Sequence, residues 1–155
     1  MTLRRPLPRD RYGRPLPPGS PDGLTARSVV ERATGPIEER LALALGLFER
    51  RCFFEAHEIL ESIWKSGDAD PDDLAFWKGL TQLAVGLCHL QRGNPAGAAA
   101  LLERAARHLA ARPAPHRGVD VPAVIRCALE LAARIRRDGL PPRIEFPPLI
   151  TAGRA

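Results

Sequence analysis

The chain has few of the features that mark membrane proteins or β-sheet proteins. No run of apolar residues approaches the roughly 20 that a membrane-spanning helix needs. No stretch alternates apolar and polar residues for long enough to predict a strand. We therefore expect neither a membrane span nor a sheet.

Cysteine is also scarce, with three residues in 155. Cys52, Cys88 and Cys127 lie far apart, and none belongs to a Cys-x-x-Cys pair, so a disulfide framework or a cysteine zinc site is not expected. The first residues lack the apolar stretch of a secretory signal. These features predict reduced thiols in a cytoplasmic protein.

Aromatic residues make up only 5% of a chain whose formal net charge is +5. Much of the positive charge comes from arginines near the amino terminus and in the last predicted helices. A specific nucleic-acid binder would add base-stacking aromatics or a reading helix, and the few aromatics here fall on apolar faces. We therefore expect no specific nucleic-acid binding; an unknown small molecule or protein is the expected partner.

What the sequence does contain is helical periodicity between two proline-rich ends. Prolines and arginines over residues 1–24 predict an extended or disordered arm, and prolines over 140–155 predict an extended tail. Between them, residues 25–139 form the predicted helical domain. Its expected helices are a short one at 25–33 and longer ones at 36–50, 53–65, 71–91, 95–111 and 122–139.

These helices predict an all-α fold, a compact antiparallel bundle of five or six helices joined by short connections. A faint internal repeat supports helical hairpins of similar design. Phe54, Ala56, Leu60 and Glu61 recur at a constant offset as Ala96, Ala98, Leu102 and Glu103. A small bundle can leave an apolar face uncovered, so the sequence leaves undecided whether the chain forms a homodimer.

The most informative stretch is 53–64, where ionisable residues follow the spacing of apolar ones. At 3.6 residues per turn, His57 and Glu61 are expected on the same face as aromatic side chains and so to point toward the core. A buried charge without a partner is costly, so the pair must either satisfy itself or receive a ligand or metal. The predicted inward face is Phe53, His57, Leu60, Glu61 and Trp64, and the predicted outward residues are Glu55, Glu58 and Ser62.

The helix predicted at 71–91 is apolar over most of its circumference. Lys78, Gln82 and His89 form a polar stripe on it, beside Gly79 and Gly86. Glycines at this spacing allow another backbone to approach closely. Our hypothesis is that the helix at 53–65 crosses this surface, which would bring His57 and Glu61 near Gln82 and His89.

Three interpretations of this composite site stay open. In the first, His57, Glu61 and Gln82 form a structural hydrogen-bond network, and the Trp64 and Trp77 indoles find partners of their own. In the second, His57, Glu61 and His89 hold a divalent metal as two histidines and one carboxylate. In the third, a polar or anionic small molecule binds in a pocket. The candidate residues for that pocket are His57, Glu58, Glu61, Trp64, Lys78 and Gln82.

The last two interpretations would also allow an enzyme, either metal-dependent or acid–base, such as a hydrolase using His57, Glu61 and His89. The residues do not decide whether the chain is an enzyme, and the catalytic residues and the cofactor stay unknown. His108 and His116, in contrast, are expected in solvent.

Three ordered motifs resemble the domain-of-unknown-function family numbered 309. They are Phe54-x-x-His57-Glu58-x-x-Glu61-x-x-Trp64, Gly79-Leu80-x-Gln82-x-Ala84 and Gly93-Asn94-x-x-Gly97-Ala98. The resemblance covers about residues 41–109. It implies a small all-helical prokaryotic-type domain, with prominent polar positions at His57, Glu58, Glu61, Gln82 and Asn94.

Overall fold

The computed structural model describes residues 34–140, which contain five α-helices, one 3₁₀ turn and no β-strand. The expected all-α fold is therefore confirmed. The arm predicted over 1–24, the short helix predicted at 25–33 and the tail beyond residue 140 lie outside the described residues. The elements are α1 (Ile37–Glu49), α2 (Phe53–Lys65), the 3₁₀ turn (Pro71–Asp73), α3 (Leu74–Gln91), α4 (Pro95–Leu109) and α5 (Val121–Asp138).

The helix starts follow local capping chemistry. Each of three elements is preceded by an Asp or Asn whose side chain accepts a hydrogen bond from a backbone N–H in the first turn, with proline just inside the start. The caps and the residues that donate to them are Asp70 from Asp72, Asn94 from Gly97, and Asp120 from Ala123.

Each helix packs mainly against its neighbours in the chain, and the α3–α4 pair is the most extensive. A Cβ atom built on Gly79 would lie 2.7 Å from Leu109 Cγ, and one on Gly86 would lie 3.3 Å from Leu102 Cγ. The glycines thus allow the close approach predicted for them. The prediction that α2 crosses this surface is wrong, because α4 occupies it.

No helix among residues 34–140 is both long enough and apolar enough to span a membrane. The buried side chains form one continuous core, to which every helix contributes. Its largest members are Trp77 and Phe53, both without solvent exposure. The two indoles differ: Trp64 Nε1 donates to Thr81 Oγ1 at 3.1 Å, whereas Trp77 Nε1 has no acceptor among the described residues.

A buried carboxylate, Asp73, anchors the loop between α4 and α5 to the start of α3. Asp73 is 6% exposed and accepts from Arg112 Nη1 at 3.1 Å and from Arg117 Nη2 at 3.1 Å. His116 Nε2 lies 3.1 Å from the Asp73 carboxylate, and its ring meets Phe76 edge to face at 4.8 Å. The expectation that His116 lies in solvent is therefore wrong.

The close α3–α4 approach predicts the effect of adding one methyl group. Replacing Gly79 by Ala should destabilise the fold by about 1–3 kcal/mol, because the new Cβ overlaps Leu109 despite alanine's better helix propensity. Gly46→Ala in α1 is the matched control, since a Cβ there meets nothing within 4 Å. Denaturant unfolding should show Gly46→Ala neutral or stabilising; a stabilised Gly79→Ala would contradict the packing.

The Asp73 network predicts a loss of stability that depends on pH. Burial alone would raise the pKa of Asp73, but hydrogen bonds from Arg117 and His116 and their charges bring it below the ordinary value. A carboxyl group whose pKa is lowered by folding stabilises the fold at pH values above its unfolded-state pKa. This stabilisation is lost as the pH falls through the folded-state pKa.

Asp73→Asn should therefore cost about 1.5–3 kcal/mol near neutral pH, because the buried side chain loses the charge that strengthens its hydrogen bonds from Arg112 and Arg117. The deficit relative to wild type should shrink in acid, which unfolding curves at several pH values would measure. The control Asp70→Asn keeps an N-cap and should change stability little. An equal deficit at every pH would contradict a charge effect.

Candidate functional site

The orientation of α2 differs from the expected one. Its buried residues are Phe53, Glu55, Ala56, Ile59, Leu60 and Ile63. The His57 and Glu61 side chains are 18% and 29% exposed, so both lie at the edge of the core and not within it. Glu55, expected in solvent, is only 7% exposed. Because α2 packs against α1 and α3 at once, its buried arc centres on Ala56 and Ile59.

His57 is held at this edge by its own helix. Its Nδ1–H donates to the carbonyl oxygen of Phe54, and the two rings lie 4.8 Å apart in a tilted contact. Its Nε2 lies 3.6 Å from Glu61 Oε2, one turn further along. Glu61 also accepts a hydrogen bond from Lys65 Nζ. The carboxylate thus pairs with the lysine and lies beyond hydrogen-bond distance of the imidazole.

Gln82 does not join His57, which corrects the hypothesis of a His57/Glu61/Gln82 cluster. Its side-chain oxygen accepts a hydrogen bond from His108 Nδ1 at 2.7 Å, so Gln82 connects α3 to α4. His108, expected in solvent, is therefore a packing residue. Lys78 lies elsewhere again, with its Nζ 5.5 Å from the centre of the Trp64 ring.

His57 and His89 both line an open cleft between α2 and α3. This cleft has a volume of about 310 Å³, including its opening to solvent. We call it the His57–His89 cleft. Its lining residues are Phe54, His57, Val85, Cys88, His89 and Arg92. Of the residues predicted for the composite site, His57 and His89 line this cleft, and Glu61 and Gln82 do not.

His89 is oriented by the cap of the next helix. The Asn94 side-chain oxygen accepts from the Gly97 backbone N–H at 3.1 Å, which turns the amide nitrogen toward His89. That nitrogen lies 3.1 Å from His89 Nδ1. One residue thus caps α4 and fixes an imidazole of the cleft.

Arg92 brings positive charge to the cleft. Its guanidinium carbon lies 5.9 Å from the centre of the Phe54 ring, within cation–π range. Burial lowers the pKa of His57, and the charge of Arg92 lowers it further against the opposing effects of the Phe54 carbonyl and Glu61. Burial and Arg92 also lower the pKa of His89. Both imidazoles are therefore neutral at pH 7.

Residues 34–140 contain no group of three or more His, Cys, Asp or Glu side chains arranged to hold a metal ion. His57, Glu61 and His89 are accordingly not brought together as a ligand set. Glu58 is half-buried on α2 and does not line the cleft. Trp64 and Lys78, also proposed for the pocket, contact each other outside it.

Sequence reasoning missed Val85, Cys88 and Arg92 as cleft residues. The signal was present for Arg92, which follows His89 by three residues and so lies one helical turn away on the same face. Val85 precedes His89 by four residues, which also places it on that face.

The fold and the cleft define a small all-helical domain with two histidines at the edge of its core. Residues 41–101 match the model of a family described as "Domain of unknown function (DUF309)". This match confirms the resemblance predicted from the three motifs. The matched segment contains every residue that lines the His57–His89 cleft.

Two relatives were found by sequence comparison. The chain is 44% identical over 70 residues to the uncharacterized protein YpuF of Bacillus subtilis (strain 168), covering 45% of this chain and 38% of YpuF. It is 30% identical over 95 residues to an uncharacterized protein of Aquifex aeolicus (strain VF5), covering 61% of this chain and 28% of that protein. The chain thus spans less than two fifths of either relative. No solved structure matches it.

The electrostatics of the cleft predict the result of removing one cation. Arg92→Gln should raise the pKa of both His57 and His89, because it deletes a charge that disfavours each imidazolium. NMR titration of the imidazole C–H signals would measure both values. Arg134→Gln, at an exposed position on α5, should leave them unchanged. Two unaltered titrations in Arg92→Gln would show that this charge does not act on the cleft.

Proposed function

We propose that this chain is a ligand-binding domain whose site is the His57–His89 cleft. The observation that carries the proposal is that His57, His89 and Arg92 line one opening between two helices, with the two imidazoles held by different partners. Small-molecule sites typically combine apolar walls with a few convergent polar groups. Phe54, Val85 and Cys88 supply such walls here.

The cleft differs from the other polar centres of the domain in the hydrogen-bonding capacity of its side chains. The Asp73 carboxylate is surrounded by cations, and Gln82 is joined to His108. Each cleft imidazole, in contrast, uses one ring nitrogen to hold its position, through Phe54 or Asn94. The second nitrogen of each ring is the group that a bound molecule would meet.

The residues have distinct roles in this proposal. Glu61 lies one helical turn from His57, where its charge favours the protonated imidazole, and it pairs with Lys65. Arg92 supplies charge, and Asn94 positions His89. Glu61 and Asn94 thus act through the histidines and need not touch the ligand.

A second candidate is acid–base catalysis on the bound molecule, which was the alternative reading of the sequence. One observation favours it: the pKa of His57 is lowered, so a neutral imidazole would be available as a general base at pH 7. Conversion of a bound compound would support this candidate, and binding without conversion would favour a plain binding module.

We place this function in the cytoplasm on the basis of the cysteines. Cys52, Cys88 and Cys127 form no disulfide among residues 34–140; Cys88 is buried and the other two are half-buried. Reduced, dispersed thiols are typical of cytoplasmic proteins.

Filling the cleft tests the proposal without removing a polar group. Val85 is half-buried and lines the cleft, so Val85→Phe should occupy part of its volume. In a fragment screen observed by NMR, wild type should show binders whose shifts map to α2 and α3, and Val85→Phe should weaken them at least about tenfold, equivalent to about 1.4 kcal/mol.

Leu129→Phe is the matched control. Leu129 is an exposed apolar residue on α5, outside the cleft, and the substitution adds the same ring. It should leave fragment binding unchanged. A screen without any binder at α2 and α3, or equal binding by Val85→Phe and wild type, would refute the cleft as the site.

A further inference from the structure

The hydrogen bonds of His57 determine which of its ring nitrogens carries the proton. A backbone carbonyl only accepts, so the contact with the Phe54 oxygen requires a proton on Nδ1. In the neutral ring Nε2 is then a bare acceptor. The Glu61 carboxylate lies 3.6 Å from Nε2, beyond hydrogen-bond distance. The nitrogen that His57 can offer to a molecule in the cleft is therefore a hydrogen-bond acceptor.

His89 is held in the opposite tautomer. The Gly97 N–H fixes the oxygen of Asn94, so the Asn94 amide nitrogen faces His89 Nδ1 and donates to it. An Nδ1 that accepts has no proton, and the neutral ring then carries its proton on Nε2. His89 is therefore a hydrogen-bond donor at the cleft.

The third polar group, Arg92, is always a cation. Its charge acts on both imidazoles, because it disfavours the protonated form of each. Arg92 also lines the cleft, where the several N–H donors of its guanidinium can bind an anionic group. The nearby Glu61 carboxylate is partly offset by Lys65, which pairs with it.

We infer that the His57–His89 cleft selects a small organic anion that also carries a separate O–H or N–H donor. This inference rests on the proposed binding function and specifies its ligand. The anionic group would lie toward Arg92 and the His89 N–H, and the donor toward His57 Nε2. The volume of about 310 Å³, part of it open to solvent, limits the ligand to a small molecule.

Three compounds of nearly equal size test each element of this selectivity. Lactate has the anion and the donor, propionate lacks the hydroxyl donor, and lactamide lacks the negative charge. NMR titration of wild type should rank lactate roughly three- to tenfold above each of the others, the range expected for one net hydrogen bond or one charge contact. Equal binding of lactate and propionate would overturn the inference.

Variants then assign each preference to a residue. His57→Phe keeps the aromatic contact with Phe54 but removes the acceptor, so the preference for lactate over propionate should disappear. Arg92→Gln should abolish the preference for lactate over lactamide, and the control Arg134→Gln should keep both preferences. Retention of the hydroxyl preference by His57→Phe would refute the role given to Nε2.

The tautomers can be measured by NMR in the protein without any ligand. In wild type, two-dimensional ¹H–¹⁵N spectra of the imidazole nitrogens should show the proton of His57 on Nδ1 and that of His89 on Nε2. Asn94→Asp keeps an N-cap for α4 but replaces the amide donor by an acceptor. At about pH 8.5, where the imidazoles are neutral, the His89 proton should move to Nδ1. His57 serves as the internal control and should not change.

The outcomes separate this inference from the proposed function. If fragments bind at the cleft and Val85→Phe weakens them, but the three compounds bind equally or the tautomers are reversed, the ligand class is wrong and the site stands. If no fragment binds at α2 and α3, the proposed function fails together with the inference. Preferences and tautomers as described would support both.

Discussion

The close packing of α3 against α4 is the constraint on which the site depends. Gly79 and Gly86 have no side chain where Leu109 and Leu102 press against α3, so the two helices lie closer than any larger residue would allow. The turn between them is correspondingly tight, with Gly93 in the left-handed region at a φ of 78°. That turn brings Asn94 back over the end of α3, where its amide meets His89. The orientation of one cleft histidine is thus a consequence of helix packing.

The sequence predicted the helices well because their ends are chemically marked. Asn94 and Asp120 cap their helices in the structure, and α2 has its predicted bounds. The rotation of α2 about its axis was predicted less well. Phe53 and Leu60 belong to two overlapping faces of α2. One face also contains His57 and Glu61, and the other also contains Ala56 and Ile63. Only the second is buried, since α2 must contact α1 and α3 together, and a single-helix pattern does not contain that requirement.

The candidate site was predictable to the extent that its contacts are local. His57 and His89 were expected to approach each other, and both line the cleft. The partner of Gln82 could not be read in the same way, because His108 lies 26 residues further along the chain on another helix. Which helix would cover Gly79 was equally open: glycine spacing indicates a close approach without identifying the partner. Helical periodicity predicts faces, and the pairing of faces depends on the whole fold.

The two ends of α3 show how similar residue types serve different purposes. At its start, the Asp73 charge is buried and neutralised by Arg112 and Arg117, which leaves nothing for a ligand. At 1.5 Å per residue, α3 is about 27 Å long. At its other end, His89 and Arg92 line an opening together with His57 of α2. There the imidazoles are neutral and fixed by backbone and amide groups, each with one nitrogen directed away from its anchor. Paired charge at one end of α3 stabilises the helix against its neighbours, and the proposed function uses the oriented neutral imidazoles at the other end.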